Sequence, residues 1–126
     1  INFNKTIFIG ELGSLNLVNS NIENFKDDLI FNGNFKFAIT SEDEFFRLFQ
    51  ITKKNRKKID AIYFDIVYNL TKNNFEIKNI IFEPGNIVNE NDLIDFLNNN
   101  KYDYKINNWI DFRNLVNKVF IDYYEG

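Results

Sequence analysis

The sequence contains no cysteine, no histidine and no methionine, and it has only one proline. Without cysteine, the chain has neither a disulfide framework nor a cysteine-based metal or redox site. Without histidine, it lacks the side chain that most often serves as a general base, as a metal ligand and as a switch near neutral pH. These absences remove the most common means of catalysis and metal binding from the candidate functions.

The sequence also has no long apolar run, and none approaches the ~20 residues that a membrane-spanning helix needs. Because the chain begins at Ile1 and has no methionine, we expect it to be a piece excised from a longer protein. A signal peptide or membrane anchor would then lie upstream. The 126 residues fit one domain, with a sheet part over residues 1–88 and a helical tail over residues 89–126.

Basic residues are fewer than acidic ones, so the net charge is -3 and the pI is near 5.0. A nucleic-acid-binding protein usually carries a basic surface, so we expect no nucleic-acid partner. No phosphate-binding, dinucleotide-binding, calcium-binding or nucleophile motif occurs in the chain. The acidic residues Glu42, Asp43 and Glu44, like Asp92 and Asp95, lie near predicted helix starts, where helix capping accounts for them. We therefore expect no catalytic residue, no metal and no cofactor, and a protein that is not an enzyme.

Phenylalanine and the β-branched residues, by contrast, are abundant and regularly spaced. Apolar and polar residues alternate along 29–39 and 62–70, which predicts strands with one buried and one wet face. Shorter strands are predicted over 3–9, 14–22 and 75–82. The residues expected on the apolar faces of the two clearest strands are Leu29, Phe31, Phe35, Phe37, Ile39, Ile62, Phe64, Ile66 and Tyr68.

Three local features refine these strands. A turn over 71–74 joins two of them into a hairpin. The alternation changes phase near Asn79, which predicts a bulge. Gly33 falls on the apolar face and predicts either a bend or a close approach by another element.

Helical patterns fill the rest of the chain. Ser41 and Glu44 form a capping box that starts a short helix over 42–51. A second helix is predicted over 90–97, broken by asparagines 98–100, and a third from Asn108. The apolar face of the third consists of Phe112, Leu115, Val116, Val119, Phe120 and Tyr123. Together these elements predict an α+β fold: a curved antiparallel meander of about five strands, with an inserted short helix and a helical tail.

A single cluster of positive charge lies between the first helix and the following strand, and it consists of Lys53, Lys54, Arg56, Lys57 and Lys58. One interpretation is a solvated connector at a helix C-terminus. The other is attraction to anionic lipid head groups, where each exposed basic residue contributes about 1 kcal/mol.

Three segments resemble the C-terminal region of AsmA-like proteins of bacterial envelopes: "FNGNFKFAITSEDEFFRLFQ", "KKIDAIYFDIVYNLTKNNFEIKNIIF" and "NWIDFRNLVNKVF". The order of strand, Phe-rich helix, basic connector and long hairpin is similar to the repeating layers of that family. The resemblance covers residues 27–85, with a looser fit over 106–123.

The resemblance implies a non-enzymatic role in outer-membrane biogenesis and in phospholipid transport between the membranes. It implies that the chain is the C-terminal piece of a periplasmic protein whose inner-membrane anchor lies outside this segment. It also implies phospholipid as a ligand and an envelope protein as a further partner. The apolar sheet residues would line the lipid path and the basic cluster would meet head groups. The alternative is a structural or protein-binding module with a dry core, which would bury the whole sheet face instead of leaving part of it uncovered.

Overall fold

The computed structural model describes residues 5–9, 12–100 and 109–126, without the side chains of residues 5–9, 100, 111 and 112. Its strands are β1 (Lys5–Ile9), β2 (Gly13–Phe25), β3 (Asp28–Ile39), β4 (Ala61–Asn69) and β5 (Asn74–Glu83). Its helices are α1 (Glu42–Leu48), α2 (Glu90–Asn100) and α3 (Trp109–Lys118), and α3 continues into a π-helical turn, Val119–Tyr123.

The five strands form one open, curved sheet in which the spatial order equals the chain order. Every neighbouring pair is antiparallel, including β3 and β4, although a helix lies in the connection between them. The predicted α+β meander is therefore confirmed. The predicted N-cap Asn108 and the Phe112 side chain fall outside the described part of the chain.

Two bulges keep the apolar residues on one face of the sheet. The pairing of β4 with β5 skips one residue at Lys78, so Ile77 and Ile80 lie on the same face despite their odd and even positions. This confirms the bulge predicted near Asn79. A second bulge, at Val18 in β2, places Leu17 and Ile22 on the same face, where Leu17 pairs with Phe35 and Ile22 pairs with Phe31.

Helix α1 begins at the predicted cap. The Ser41 hydroxyl oxygen accepts a hydrogen bond from the Glu44 backbone N–H at 3.3 Å. The reciprocal half of the predicted capping box is replaced, because the Glu44 carboxylate accepts from Arg47 at 2.8 Å. The helix ends at Leu48 instead of residue 51, and Gln50 then takes a left-handed conformation with φ of 53°.

The predicted break of α2 at asparagines 98–100 is wrong, since the helix continues through all three. The helix can include Asn98 because the side-chain amide of Asn98 bonds to the backbone of Ile77 on the edge strand β5. The side-chain oxygen accepts from the Ile77 N–H at 2.8 Å and the side-chain nitrogen donates to the Ile77 carbonyl at 3.0 Å. The side chain therefore does not compete with its own helix backbone.

The hydrophobic core lies between one half of the sheet and the helices. Its buried members come from α1, the connector between α1 and β4, β5, α2 and the C-terminal segment from the π turn onward: Phe45, Phe46, Phe49, Ile51, Ile59, Ile80, Phe82, Leu93, Val119, Phe120 and Tyr124. Ring contacts organise this cluster. The ring of Phe120 meets those of Phe46 and Tyr124 edge-on at 5.4 and 5.6 Å.

Tyr124 is a core residue that the helical periodicity does not reveal. In the π turn its backbone N–H bonds to the carbonyl of Val119, five residues earlier. The longer π-helical turn displaces the helical period by one residue, which leaves Tyr123 half-buried and Tyr124 only 1% exposed. The segment is fastened on both sides, since Val88 N–H bonds to the Tyr123 carbonyl at 2.7 Å and the Lys57 ammonium donates to the Tyr124 carbonyl.

Candidate functional site

The helices cover only part of the apolar sheet face. Four of the nine predicted face residues pack against the core, and these are Phe37, Ile39, Ile62 and Phe64. The other five lie beyond the helices: Leu29, Phe31, Phe35, Ile66 and Tyr68. The strand pairing places both sets on one face, because Phe31 pairs with Tyr68 and Phe37 pairs with Ile62.

The uncovered half forms an open groove with a volume of about 390 Å³. Its walls are Phe31, Phe35, Ile66, Tyr68 and Phe75, and they present no polar surface to the groove. The Tyr68 hydroxyl donates a hydrogen bond to the side-chain oxygen of Asn73 in the adjoining turn. Phe75, which was predicted to begin a strand but was not among the nine predicted groove residues, completes the groove, because it pairs with Tyr68 across the β4–β5 ladder.

Gly33 shapes the floor of this groove. A Cβ atom added there would lie 2.8 Å from Cε1 of Phe31 and 2.7 Å from Cε2 of Phe35. The two rings therefore converge above the missing side chain. The close approach predicted at Gly33 is present, but it comes from rings of the same strand and not from another element.

A ring stack marks the boundary between groove and core. Phe35 lies at the inner end of the groove, and its ring is stacked on that of Phe64 at 5.2 Å with an interplanar angle of 9°. Phe64 in turn packs against the helical core. The apolar surface is thus continuous from the core to the end of the sheet that the helices do not reach.

The opposite face of the sheet is predominantly polar. Asn34 donates to the Asp65 carboxylate at 2.6 Å, and Asn32 donates to Asn21 at 2.9 Å. These cross-strand bonds engage amides that would otherwise bond only to water. The two faces therefore differ in chemistry at neighbouring positions of the same strand.

The structure separates the members of the basic cluster. Arg56 donates to the Ile51 carbonyl at 2.9 Å and lies over the Phe46 ring, while Lys57 is bonded to the tail as described above. Lys58 forms ion pairs with Asp60 and Glu42, and the pKa of Lys58 is raised mainly by its hydrogen bond to Asp60.

Only two of the five cations, Lys53 and Lys54, have exposed side chains without a partner among the described residues. The cluster therefore offers at most two freely available charges for head groups, and its other three members hold the connector in place.

Neither a metal site nor a membrane-spanning helix is found in the described ranges. Within them, no three Asp or Glu residues come together as a metal-binding group. No helix there is both long and apolar enough to cross a bilayer. The groove is accordingly the main candidate site.

Comparison with known proteins gives no further assignment, since no family model, no curated protein and no solved structure matches this chain.

Proposed function

We propose that the groove binds the acyl chain of a phospholipid, and that the chain is part of a non-enzymatic, AsmA-like envelope protein. In this proposal the segment works in the periplasm, is anchored to the inner membrane through a part outside this sequence, and contributes to outer-membrane biogenesis by passing lipid along its sheet.

The single observation that supports the proposal most strongly is that the uncovered half of one sheet face forms a groove with wholly apolar walls. Acyl chains form no hydrogen bonds, so a site for them needs apolar walls and a backbone whose polar groups are already paired. The ladder between β3, β4 and β5 pairs the backbone beneath the groove. The groove volume of about 390 Å³ also falls within the range of about 300–1,000 Å³ that small-molecule sites occupy.

The second candidate is a protein-binding module without lipid contact. It is favoured by an exposed apolar group at the helical end of the molecule, where Leu48, Trp109 and Ile110 are 43%, 43% and 58% exposed. Trp109 packs on Phe49 of the core at 5.3 Å, so this patch adjoins the core and not the groove. Ligand binding at the groove therefore distinguishes the two candidates.

A matched pair of variants on one strand tests the lipid proposal. Ile66 lines the groove, whereas the next residue, Val67, lies on the polar face opposite Asn32. We expect Ile66→Asn to weaken binding of a fluorescent polyene fatty acid by about tenfold or more, because its amide would meet the ligand without a hydrogen-bond partner. Val67→Asn should bind the probe as the unaltered chain does.

Crosslinking in cells gives an independent test on the full-length protein. A photoreactive residue at Phe35 should form phospholipid adducts, whereas one at Asn34, which bonds to Asp65 on the other face, should not. If Phe35 crosslinks only within the protein, or if both positions give equal lipid adducts, the groove is not a lipid site.

A further inference from the structure

The sheet ends, on the side away from the helices, in two turns that are bonded into one unit. We define this tip as residues 25–29 and 69–73. The Leu70 N–H donates to the Leu29 carbonyl at 2.8 Å, and the Leu29 N–H donates to the Thr71 hydroxyl at 2.8 Å. Asp28 joins the same two segments through Asn69 at 3.0 Å and Lys72 at 3.3 Å. These bonds hold the two turns together, so that both project from the same end of the sheet.

Large apolar side chains are exposed on the tip. Phe25 is 60% exposed, Leu70 is 44% exposed and Leu29 is 38% exposed. Phe25 pairs with Asp28 and Leu29 pairs with Asn24, so the two apolar side chains lie on opposite faces of the sheet. Apolar groups on both sides of a narrow projection suit insertion into an apolar medium better than sideways docking on a flat partner.

A cation accompanies the most exposed ring. The ammonium of Lys26 lies 5.3 Å from the centre of the Phe25 ring and has no carboxylate partner within the described part of the chain. The Lys26 and Asp27 turn has φ values of 49° and 70°, the conformation of a tight two-residue hairpin turn. An aromatic ring with an adjacent lysine is the combination that places a ring below lipid head groups and a charge among the phosphates.

The tip also adjoins the groove. Leu29 is followed along the apolar face of β3 by Phe31, and Phe31 pairs with Tyr68, so apolar surface leads from the tip into the groove. At its other end the groove meets the Phe35 and Phe64 stack and the helical core. A ligand taken from a bilayer would therefore reach the groove through the tip.

We propose that this tip docks on the surface of a phospholipid bilayer, with Phe25, Leu29 and Leu70 entering the head-group region and Lys26 meeting lipid phosphate. That docking delivers lipid to the groove rests on the proposed function, but docking itself can be measured independently of any binding in the groove. Besides Lys26 and the paired Lys72, the tip carries the acidic residues Asp27 and Asp28. Binding should therefore depend mainly on the apolar side chains and only weakly on salt.

Flotation of the chain with vesicles tests the docking. The vesicles are made of phosphatidylcholine, with or without phosphatidylglycerol. We expect the double variant Phe25→Ser with Leu70→Ser to lose about tenfold or more of its vesicle partition, because two exposed apolar side chains are removed. The control double variant Leu48→Ser with Ile81→Ser removes apolar groups of similar exposure elsewhere and should float as the unaltered chain does.

The absence of cysteine allows the contact to be located. A single environment-sensitive fluorophore at Asn24→Cys should shift to the blue when vesicles are added, because Asn24 adjoins the tip. The same fluorophore at Lys54→Cys, beside the other exposed lysine of the basic cluster, should not shift. A shift at Lys54→Cys alone would assign vesicle binding to the basic cluster and would overturn the proposal.

The two proposals fail separately. If the unaltered chain does not bind vesicles, or if both double variants lose binding equally, the tip is not a membrane contact. The polyene fatty acid, added without vesicles, still reports on the groove. The tip variant should bind that soluble probe normally, and loss of probe binding in it would mean that its substitutions disturb the groove and that the tip has no separate role.

Discussion

Replacement of Tyr124 by phenylalanine removes two hydrogen bonds that fasten the C-terminal helix to the rest of the molecule. The Tyr124 hydroxyl donates to the Lys58 carbonyl and accepts from the Gly85 N–H at 3.2 Å. These partners belong to the connector before β4 and to the segment after β5, so one hydroxyl joins three parts of the chain. The Phe ring itself fits the same space, because the substitution removes only the oxygen.

The expected loss of stability follows from the two backbone groups that Tyr124→Phe leaves unpaired, the Lys58 carbonyl and the Gly85 N–H. A buried donor or acceptor without a partner costs about 1–3 kcal/mol. Lys58 and Gly85 are not fully buried, so water can replace part of what is lost. We therefore expect Tyr124→Phe to lower the free energy of unfolding by about 2 kcal/mol, which corresponds to a fall in Tm of about 6–10 °C for a domain of this size.

The adjacent tyrosine supplies the control. The Tyr123 ring stacks on Phe96 at 5.9 Å, and within the described residues its hydroxyl has no hydrogen bond. Tyr123→Phe should change the free energy of unfolding by less than about 0.5 kcal/mol. Urea unfolding followed by circular dichroism measures both variants. Equal stability of the two variants would refute the reasoning that the Tyr124 hydroxyl fastens the tail.

The same residue gives the protein a pH dependence at alkaline pH. Burial raises the pKa of Tyr124 above its ordinary value of 10.0, although the Gly85 hydrogen bond acts in the opposite direction. The folded state thus holds this proton more tightly than the unfolded state. The stability that the protonated Tyr124 hydroxyl adds to the folded state is complete below about pH 10 and is lost as the pH rises through the folded pKa. Above pH 10, the unaltered chain should lose stability more steeply than Tyr124→Phe, and identical slopes would contradict this assignment.

Two further predictions concern other polar contacts. Asn98→Leu should lower the free energy of unfolding by about 1–2 kcal/mol, because the N–H and carbonyl of Ile77 in β5 lose their partner. Asn99→Leu, at an exposed position of the same helix, is the control. Equal urea midpoints for the two variants would show that the Asn98 amide is dispensable. The hydrogen bond from Asn69, together with Lys72, lowers the pKa of Asp28. The stability that this carboxylate adds is therefore present above pH 3.8 and lost as the pH falls through the folded pKa. Thermal melts at decreasing pH should show a steeper loss for the unaltered chain than for Asp28→Asn, and parallel curves would argue against the pairing.

Much of the sheet could be predicted because its two clearest strands keep an unbroken two-residue period. Alternation identifies β3 and β4 almost to the residue, and the phase change near Asn79 identifies a bulge. The period says which residues share a face, but it does not say how far along that face a helix extends. The division between a covered Phe37 and an open Phe31 depends on tertiary packing and could not be predicted from alternation.

The errors in the helices have identifiable physical causes in the tertiary structure. A run of asparagines normally ends a helix because the side chains compete for backbone groups. Asn98 bonds instead to a strand that is 21 residues away in sequence. The burial of Tyr124 depends on a π turn, which displaces the helical period by one residue. Both features require the folded partner to be in place before they have any effect.

The strand order has a consequence for how the chain folds. Because the spatial order of the strands equals their order in sequence, each pairing closes a loop between neighbours in the chain, and the sheet can form one hairpin at a time. The C-terminal helix differs, since the bond from Tyr124 to Lys58 closes a loop of 66 residues. Closing that loop costs more chain entropy than any hairpin turn. Docking of the tail is therefore expected to be a late step of folding, and its release the earliest partial unfolding, detectable by faster hydrogen exchange at Tyr124 than in the middle of β3.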